Sequence, residues 1–257
     1  MFLSLVSGSS GNSTLLSHKN TTILVDLGMS CKKLEQTITQ LNMSMADIDA
    51  ILVTHEHADH IKGVATVSKK YNLPVYATLK THEAMTDLAI PDKCIKYLTP
   101  DIDFEIGNIG IKPFSIPHDA MGPVAYNFFF DEKKLSLATD MGEVTPEVFA
   151  HLKGSLAVLL ESNHDVNMLK NGSYPYFLKQ RILGGLGHLS NETAAKTALE
   201  LAKTGTKHIM LGHLSDKNNT PRTAFYETAQ FLVSQGVELQ KDLALTVASR
   251  FEVTKFR

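Results

Sequence analysis

The sequence has 257 residues, and its balance of 43% hydrophobic and 20% charged residues excludes a chain dominated by disorder. The formal net charge of −2 excludes a global basic field that would attract nucleic acid, so any such substrate needs a local site. No internal repeat and no Pro-, Gly- or Ser-rich linker divides the chain, and we therefore predict one domain spanning residues 1–257.

Hydrophobic periodicity and turn residues predict the elements in chain order. The first part is predicted to form strands at 1–6, 13–17 and 22–25, a helix at 30–41, a strand at 51–53 and a helix at 61–71. Strands follow at 75–77, 95–98, 109–116, 124–130 and 135–138. The last third alternates strands at 156–160, 208–211 and 243–247 with helices at 174–183, 192–203 and 220–234. This order favours an α/β fold in which two sheets pack face to face with helices outside.

A cluster of metal-ligand residues, His55, His57, Asp59 and His60, follows the predicted buried strand 51–53. Imidazole and carboxylate are the usual ligands of zinc, iron and manganese. In an extended segment His55 and His57 point the same way, and a tight turn would bring Asp59 and His60 to a neighbouring point. The spacing indicates two adjacent metal positions, because a solvated polar loop would rarely have this pattern after a buried strand.

Further ligands must come from elsewhere in the chain, and four candidates each follow an apolar run: Asp26, His118, Asp140 and His213. Any one of them alone would more often be a capping or surface residue. Together, beside the histidine cluster, they favour a shared metal site.

These motifs, in this order, resemble those of the metallo-β-lactamase superfamily. Within it the sequence is most similar to the YycJ (WalJ) group. That resemblance is carried by the segments SGSSGNS (7–13), THEHADH (54–60), ESNHD (161–165), GHLSN (187–191) and LGHLSDKNN (211–219). The resemblance implies an αββα sandwich of two mixed sheets flanked by helices, with the metals at one edge.

The resemblance also implies the ligand set. His55, His57 and His118 would bind the first ion, Asp59, His60 and His213 the second, and Asp140 would bridge them. Asp26 would order the cluster through hydrogen bonds. Two divalent ions per chain are expected, zinc or manganese, with iron also possible.

Two divalent ions ~4 Å apart suit hydrolysis of a phosphodiester by a bridging hydroxide. Asp140 fits the phosphodiesterase branches of the superfamily, and the YycJ group implies a DNA 5′–3′ exonuclease. Two alternatives remain: a hydrolase of a small cyclic phosphodiester or a thioester, and a non-catalytic regulatory metal-binding protein. The intact ligand set argues against the last.

The candidate catalytic residues are Asp59, which would orient the nucleophile, and His188 or His164, which would protonate the leaving group. His188 resembles a histidine of the related ribonuclease Z branch, although Leu137 stands where that branch has an acidic partner. Candidate substrate-binding residues carry amide, hydroxyl or guanidinium groups suited to phosphate oxygens: Asn12, Asn163, Arg181, Ser190 and Ser215. Ser190 is equally well explained as a helix cap.

The two cysteines, Cys31 and Cys94, are far apart and form no C-x-x-C pair, which favours a reducing compartment. The N-terminus has no basic segment before its short apolar run, and no apolar stretch reaches the ~20 residues of a membrane span. We therefore expect a cytoplasmic protein with a DNA substrate and no membrane partner.

Overall fold

The structure is a computed structural model and describes residues 1–256. In chain order its strands and helices are β1 (Phe2–Val6), β2 (Ser13–His18), β3 (Thr21–Val25), α1 (Cys31–Gln40), β4 (Ala50–Leu52), α2 (Ala58–Ile61), α3 (Val64–Tyr71), β5 (Val75–Thr78), α4 (Leu79–Ala84), β6 (Ile95–Leu98), β7 (Phe104–Ile106), β8 (Ile109–Ser115), β9 (Val124–Phe130), β10 (Lys133–Ala138), α5 (Pro146–Leu152), β11 (Ala157–Glu161), α6 (Val166–Asn171), α7 (Tyr176–Leu183), α8 (Asn191–Lys203), β12 (His208–Gly212), α9 (Pro221–Ser234), β13 (Ala244–Val247) and β14 (Thr254–Lys255). No helix of this described part is long and apolar enough to cross a membrane.

The strands form two sheets of seven. The first sheet has the order β14-β1-β2-β3-β4-β5-β6, and the second has the order β13-β12-β11-β10-β9-β8-β7. Each sheet mixes parallel and antiparallel pairs: β3, β4, β5 and β6 run parallel in the first, and β10, β11, β12 and β13 run parallel in the second. The carboxyl ends of parallel strands lie at one edge of a sheet, so each sheet has one edge at which loops can assemble a site.

Three buried layers hold the sandwich together. Apolar side chains of both sheets, such as Val25, Leu52 and Tyr126, meet between the sheets. Helices α1 and α3 cover the outer face of the first sheet, and α5, α8 and α9 cover the outer face of the second. The predicted α/β sandwich of two mixed sheets flanked by helices is therefore confirmed.

The helix predicted at 61–71 is instead two helices, α2 and α3, which meet at Gly63. The Gly63 N–H donates to Leu27 O at 2.8 Å. A Cβ at position 63 would lie 2.2 Å from Met29 O. The chain is thus pressed against the loop after β3, and this contact interrupts the helix. The sequence prediction also omitted α4, α5, α6, β7 and β14.

Candidate metal centre and cleft

The candidate metal ligands lie where strands of both sheets end. Asp26 follows β3, His55 follows β4, Asp140 follows β10 and His213 follows β12. Asp26, Asp140 and His213 all have left-handed backbone, with φ of 57°, 61° and 53°. This conformation is uncommon for residues other than glycine and is often found at functional sites, where neighbouring structure holds it. Here it turns each chain sharply at the strand end, beside the cluster.

The loop after β1 holds the start of α2 in place. The Asn12 N–H donates to Asp59 O at 2.8 Å, and the Gly28 N–H donates to Asn12 O at 2.8 Å. A Cβ on Gly28 would lie 1.7 Å from Asp59 O, so only glycine permits this close approach of three chain segments. Segment 7–13, quoted above as SGSSGNS, thus fixes the backbone that carries Asp59.

Two groups of donor atoms converge between the sheets. His55, His57 and His118 form one group, and Asp59, His60 and His213 form the other; within each, the potential ligand atoms lie within 4.8 Å of one another. In the first group, His57 Nδ1 lies 3.3 Å from His118 Nε2.

Asp140 lies against the second group. Its Oδ2 is 3.3 Å from His60 Nε2, and its Oδ1 is 3.2 Å from His213 Nδ1. Asp140 also belongs, with His55 and His60, to a third set of donors that lie within 4.8 Å of one another. A carboxylate in this position can contact both groups.

Hydrogen bonds orient the rings of His55 and His118 in the first group and of His60 in the second. In each ring the bond is made by the nitrogen that faces away from the cluster. His55 Nδ1–H donates to Thr54 Oγ1 at 2.9 Å, and Thr54 Oγ1 donates in turn to Asp26 Oδ2 at 2.8 Å. His60 Nδ1–H donates to the same Asp26 oxygen at 2.8 Å. His118 Nδ1 lies 3.3 Å from the carbonyl oxygen of Gly187.

In the second sheet, Glu161 orients two rings. His213 Nδ1–H donates to Glu161 Oε1 at 2.9 Å, and His188 Nδ1–H donates to the same oxygen at 2.8 Å. Glu161 Oε2 accepts the backbone N–H groups of Met141 at 3.0 Å and Leu189 at 3.1 Å. Metal-ligating histidines characteristically donate the other ring N–H to a carboxylate or carbonyl in this way.

The sequence prediction quoted Glu161 within a motif but gave it no role. A signal existed, because Glu161 ends the apolar run 156–160 just as Asp26, Asp140 and His213 follow theirs. It is completely buried. Burial would raise its pKa, but His188 and His213 outweigh that effect and lower it. Glu161 is therefore an ionised carboxylate that supports the second-sheet side of the cluster.

The buried polar atoms fit divalent ions. His55 Nε2 and Asp140 Oδ2 are fully enclosed, yet neither has a hydrogen-bond partner among the described residues. Buried polar groups without partners are rare and costly in folded proteins. Nitrogen and carboxylate oxygen donors in this arrangement match the preferences of zinc and manganese. The cluster can therefore hold divalent metal ions.

The pKa values of the two fully buried histidines, His55 and His60, shift in opposite directions. Burial and the neighbouring imidazoles lower the pKa of His55 well below its usual value, so its ring is neutral, as a metal ligand must be. Burial also acts to lower the pKa of His60, but Asp140, Asp26 and Asp59 outweigh burial and raise it to about 9. The acidic side chains around His60 thus favour a positive charge at this point, which a bound cation would supply.

A cleft of about 210 Å³ opens over the cluster. Of the predicted catalytic and substrate-binding residues, five line it: Asp59, His188, Asn163, Arg181 and Ser215. The Asn163 amide donates to His213 O at 2.9 Å, which ties this wall to the cluster. The Arg181 guanidinium forms an ion pair with Asp119, which also lines the cleft.

The other three candidates lie away from the cleft surface. Asn12 is buried, and its amide donates to Asp59 Oδ2 at 3.2 Å. His164 is 1% exposed, and neither ring nitrogen has a hydrogen-bond partner in the described part of the chain. Ser190 caps α8 by accepting the N–H of Thr193 at 3.2 Å. Their roles toward a substrate stay predictions.

Comparison with known proteins agrees with this geometry. The beta-lactamase superfamily domain matches residues 21–214. The chain is 41% identical to exodeoxyribonuclease YycJ of Bacillus anthracis over 91% of this chain and 90% of that protein. It is 42% identical to exodeoxyribonuclease WalJ of Streptococcus pneumoniae over 86% of this chain and 83% of that one.

A solved structure supports the fold alone. The metallo-beta-lactamase fold protein YhfI from Bacillus subtilis superposes with a TM-score of 0.73 at 16% identity, covering 98% of each chain. The long match to the superfamily domain and the identity to YycJ and WalJ carry the assignment further. The chain therefore belongs to the beta-lactamase superfamily and, within it, to the family that includes YycJ and WalJ.

Proposed function

We propose that the chain is a two-metal phosphodiesterase that removes nucleotides from DNA ends in the 5′–3′ direction. The observation that carries the proposal is the set of oriented histidines: His55, His60, His118 and His213 each have one ring nitrogen held by the protein. The other nitrogen of each faces the cluster, where His55 Nε2 has no hydrogen-bond partner among the described residues and His60 Nε2 lies 3.0 Å from the Asn12 amide nitrogen. The exodeoxyribonuclease names of the relatives supply the substrate class.

The residues would hold two ions in the way that the family resemblance implies. His55, His57 and His118 would hold the first ion, and Asp59, His60 and His213 the second, with Asp140 contacting both. Zinc or manganese suits these donors, and iron is the further candidate. Such ions, when bound, lower the pKa of water and stabilise charge on a phosphoryl oxygen.

The chain's own residues would position the attacking water and the phosphate. The Asp59 side chain is 25% exposed and lines the cleft, so its carboxylate can orient a water molecule there. Asn163, Arg181 and Ser215 provide an amide, a guanidinium and a hydroxyl in the same cleft, groups that bind phosphate oxygens.

His188 would protonate the leaving alkoxide. Its ring lines the cleft, and because Nδ1 is bonded to Glu161, Nε2 is the nitrogen available to a substrate. Glu161 thus supplies, from a different place in the chain, the acidic partner that Leu137 cannot provide. His164 is a weaker candidate, since burial lowers its pKa to about 4 and its ring is almost fully enclosed.

An assay of the purified protein tests the proposal. Single-stranded and duplex DNA and RNA, labelled at either end, would be incubated with manganese or zinc and, as the control, with a chelator. We expect metal-dependent release of nucleotides from 5′ DNA ends, with a steep loss of binding as salt rises, because phosphate contacts release counterions. Release of no nucleotide from any DNA end, with hydrolysis of a cyclic dinucleotide or a thioester added in parallel, would contradict the proposal.

The free cysteines Cys31 and Cys94 fit a reducing compartment, and we propose that the chain acts in the cytoplasm.

A further inference from the structure

An aromatic segment borders the cleft. Aromatic residues make up 7% of the sequence, yet three of the four residues 174–177 are aromatic: Tyr174, Tyr176 and Phe177. Tyr174 lies between α6 and α7, and Tyr176 and Phe177 are the first two residues of α7. The proposed mechanism does not use any of the three.

The geometry of α7 sets these side chains apart. Tyr174, Leu178 and Arg181 line the cleft. With 3.6 residues per turn, Phe177 lies one turn before Arg181 on the same side of the helix. Tyr176 lies two residues before Leu178, about 200° around the axis, and so faces away from the cleft.

Phe177 is exposed on the flank of α7 nearest Arg181, at the edge of the helix face that lines the cleft. Its side chain is 73% exposed, and it makes no aromatic pair with any described residue. Tyr174 is half-buried in the cleft wall. Large apolar groups at the rim of a polar cleft gain from being covered when a ligand is seated there. We call Tyr174 and Phe177 the aromatic rim.

The position of the metal centre indicates which part of a bound strand would lie against the aromatic rim. His55 and His60 are completely buried, whereas His57, Asp59, Asp140 and His213 line the cleft, so a scissile phosphate must enter the cleft to reach the cluster. The nucleosides on either side of that phosphate then lie higher, against the cleft walls. Arg181, the cation in the cleft lining, is paired with Asp119, so its contact with a phosphate must compete with that ion pair, and contacts with the bases would add affinity on this wall. Nucleobases stack on aromatic side chains without regard to sequence.

We infer that the aromatic rim stacks the unpaired bases of a single-stranded DNA end next to the scissile phosphate. Stacking requires bases that are free of a partner strand, so the rim selects a frayed or single-stranded end over an intact duplex end. This inference rests on the proposed function, because the occupant is the DNA strand that the cleft would cleave.

The test compares strands with and without bases. An oligodeoxythymidine and an abasic strand of the same length, both built with phosphorothioate linkages that resist cleavage, carry equal numbers of charges, and binding of each to the metal-loaded protein would be measured by fluorescence anisotropy. Phe177→Ala is the test variant. Tyr176→Ala, an equally exposed aromatic on the outward side of the same helix, is the matched control. The metal content of each variant, measured after reloading, reports whether the centre is intact.

We expect Phe177→Ala to bind oligodeoxythymidine roughly tenfold more weakly than the parent and to bind the abasic strand equally well. Tyr176→Ala should match the parent on both. Unchanged binding of oligodeoxythymidine by Phe177→Ala, or equal losses on both strands, would overturn the inference. A parent protein that releases no nucleotide from any DNA would instead remove the proposed function, so the two failures are distinguishable.

Discussion

The two sheets contribute to the metal centre in different ways. The first-sheet half consists of Asp26, His55, His57, Asp59 and His60, and four of these five residues lie in a single loop and its following helix turn. The second-sheet half consists of His118, Asp140, Glu161, His188 and His213, and these come from five separate places in the chain.

The first-sheet half depends on local sequence, whereas the second-sheet half depends on the tertiary fold. One tight turn after β4 assembles most of the first-sheet half, so the spacing of these ligands along the sequence already predicts that they lie together. The second-sheet half exists only because β10, β11 and β12 pair in parallel and end at the same edge. Each half nevertheless uses one buried carboxylate to orient histidines: Asp26 in the first and Glu161 in the second.

The largest effect is expected from Asp59→Ala in the first-sheet half. The change removes a donor of the second group and the carboxylate that we propose to orient water, and it should abolish DNA cleavage. Because the side chain is 25% exposed, the fold should persist. Circular dichroism and nucleotide release would be measured beside Asp87→Ala, an exposed aspartate elsewhere. Near-normal cleavage by Asp59→Ala would show that the site assignment is wrong.

His188→Ala tests the second-sheet half. Loss of a general acid should slow cleavage of ordinary DNA by about 10²–10⁴-fold. A phosphodiester with a good leaving group, such as bis(4-nitrophenyl) phosphate, needs no such proton and should be cleaved almost normally. Equal losses on both substrates would mean that His188 is not the acid.

Replacing each orienting carboxylate by its amide compares the two halves directly. Asp26→Asn and Glu161→Gln each place an amide against imidazole N–H groups, and each should lower metal affinity by roughly 10–100-fold. Competition with a chelator would measure this, with Glu192→Gln, on the surface of α8, as the control. A loss in one half only would show that the two carboxylates are not equivalent.

The smallest effect concerns His164, next to the second-sheet half. Burial lowers the pKa of His164 from 6.5 to about 4. Between these values the unfolded chain binds more protons than the folded chain, so this residue's contribution is complete above pH 6.5 and is lost as the pH falls toward 4. Between pH 6.5 and 5 the metal-free parent should lose about 2 kcal/mol more unfolding free energy than His164→Gln. Parallel pH curves in denaturant unfolding would contradict this.

The sequence predicted most of the sandwich and the first-sheet half because both depend on local patterns. Strand and helix periodicity gave the main elements, and the histidine spacing after residues 51–53 gave the cluster. Contacts across the fold escaped prediction: Gly63 is pressed on the loop after β3, and Glu161 meets His188 and His213 only after three strands pair. Phe177 was missed because its position depends on the helix face that borders the cleft.

Metal content tests most directly the claim that the two groups of metal ligands share Asp140. The parent and Asp140→Ala would be loaded with manganese or zinc, dialysed and examined by elemental analysis, with protein concentration fixed by amino-acid analysis. We expect two ions per chain in the parent and a clear loss in Asp140→Ala, since this carboxylate has an oxygen within 4.8 Å of donor atoms of His55, in the first group, and of His60, in the second. At most one tightly bound ion in the parent, retained when Asp140 is removed, would contradict the two-metal account.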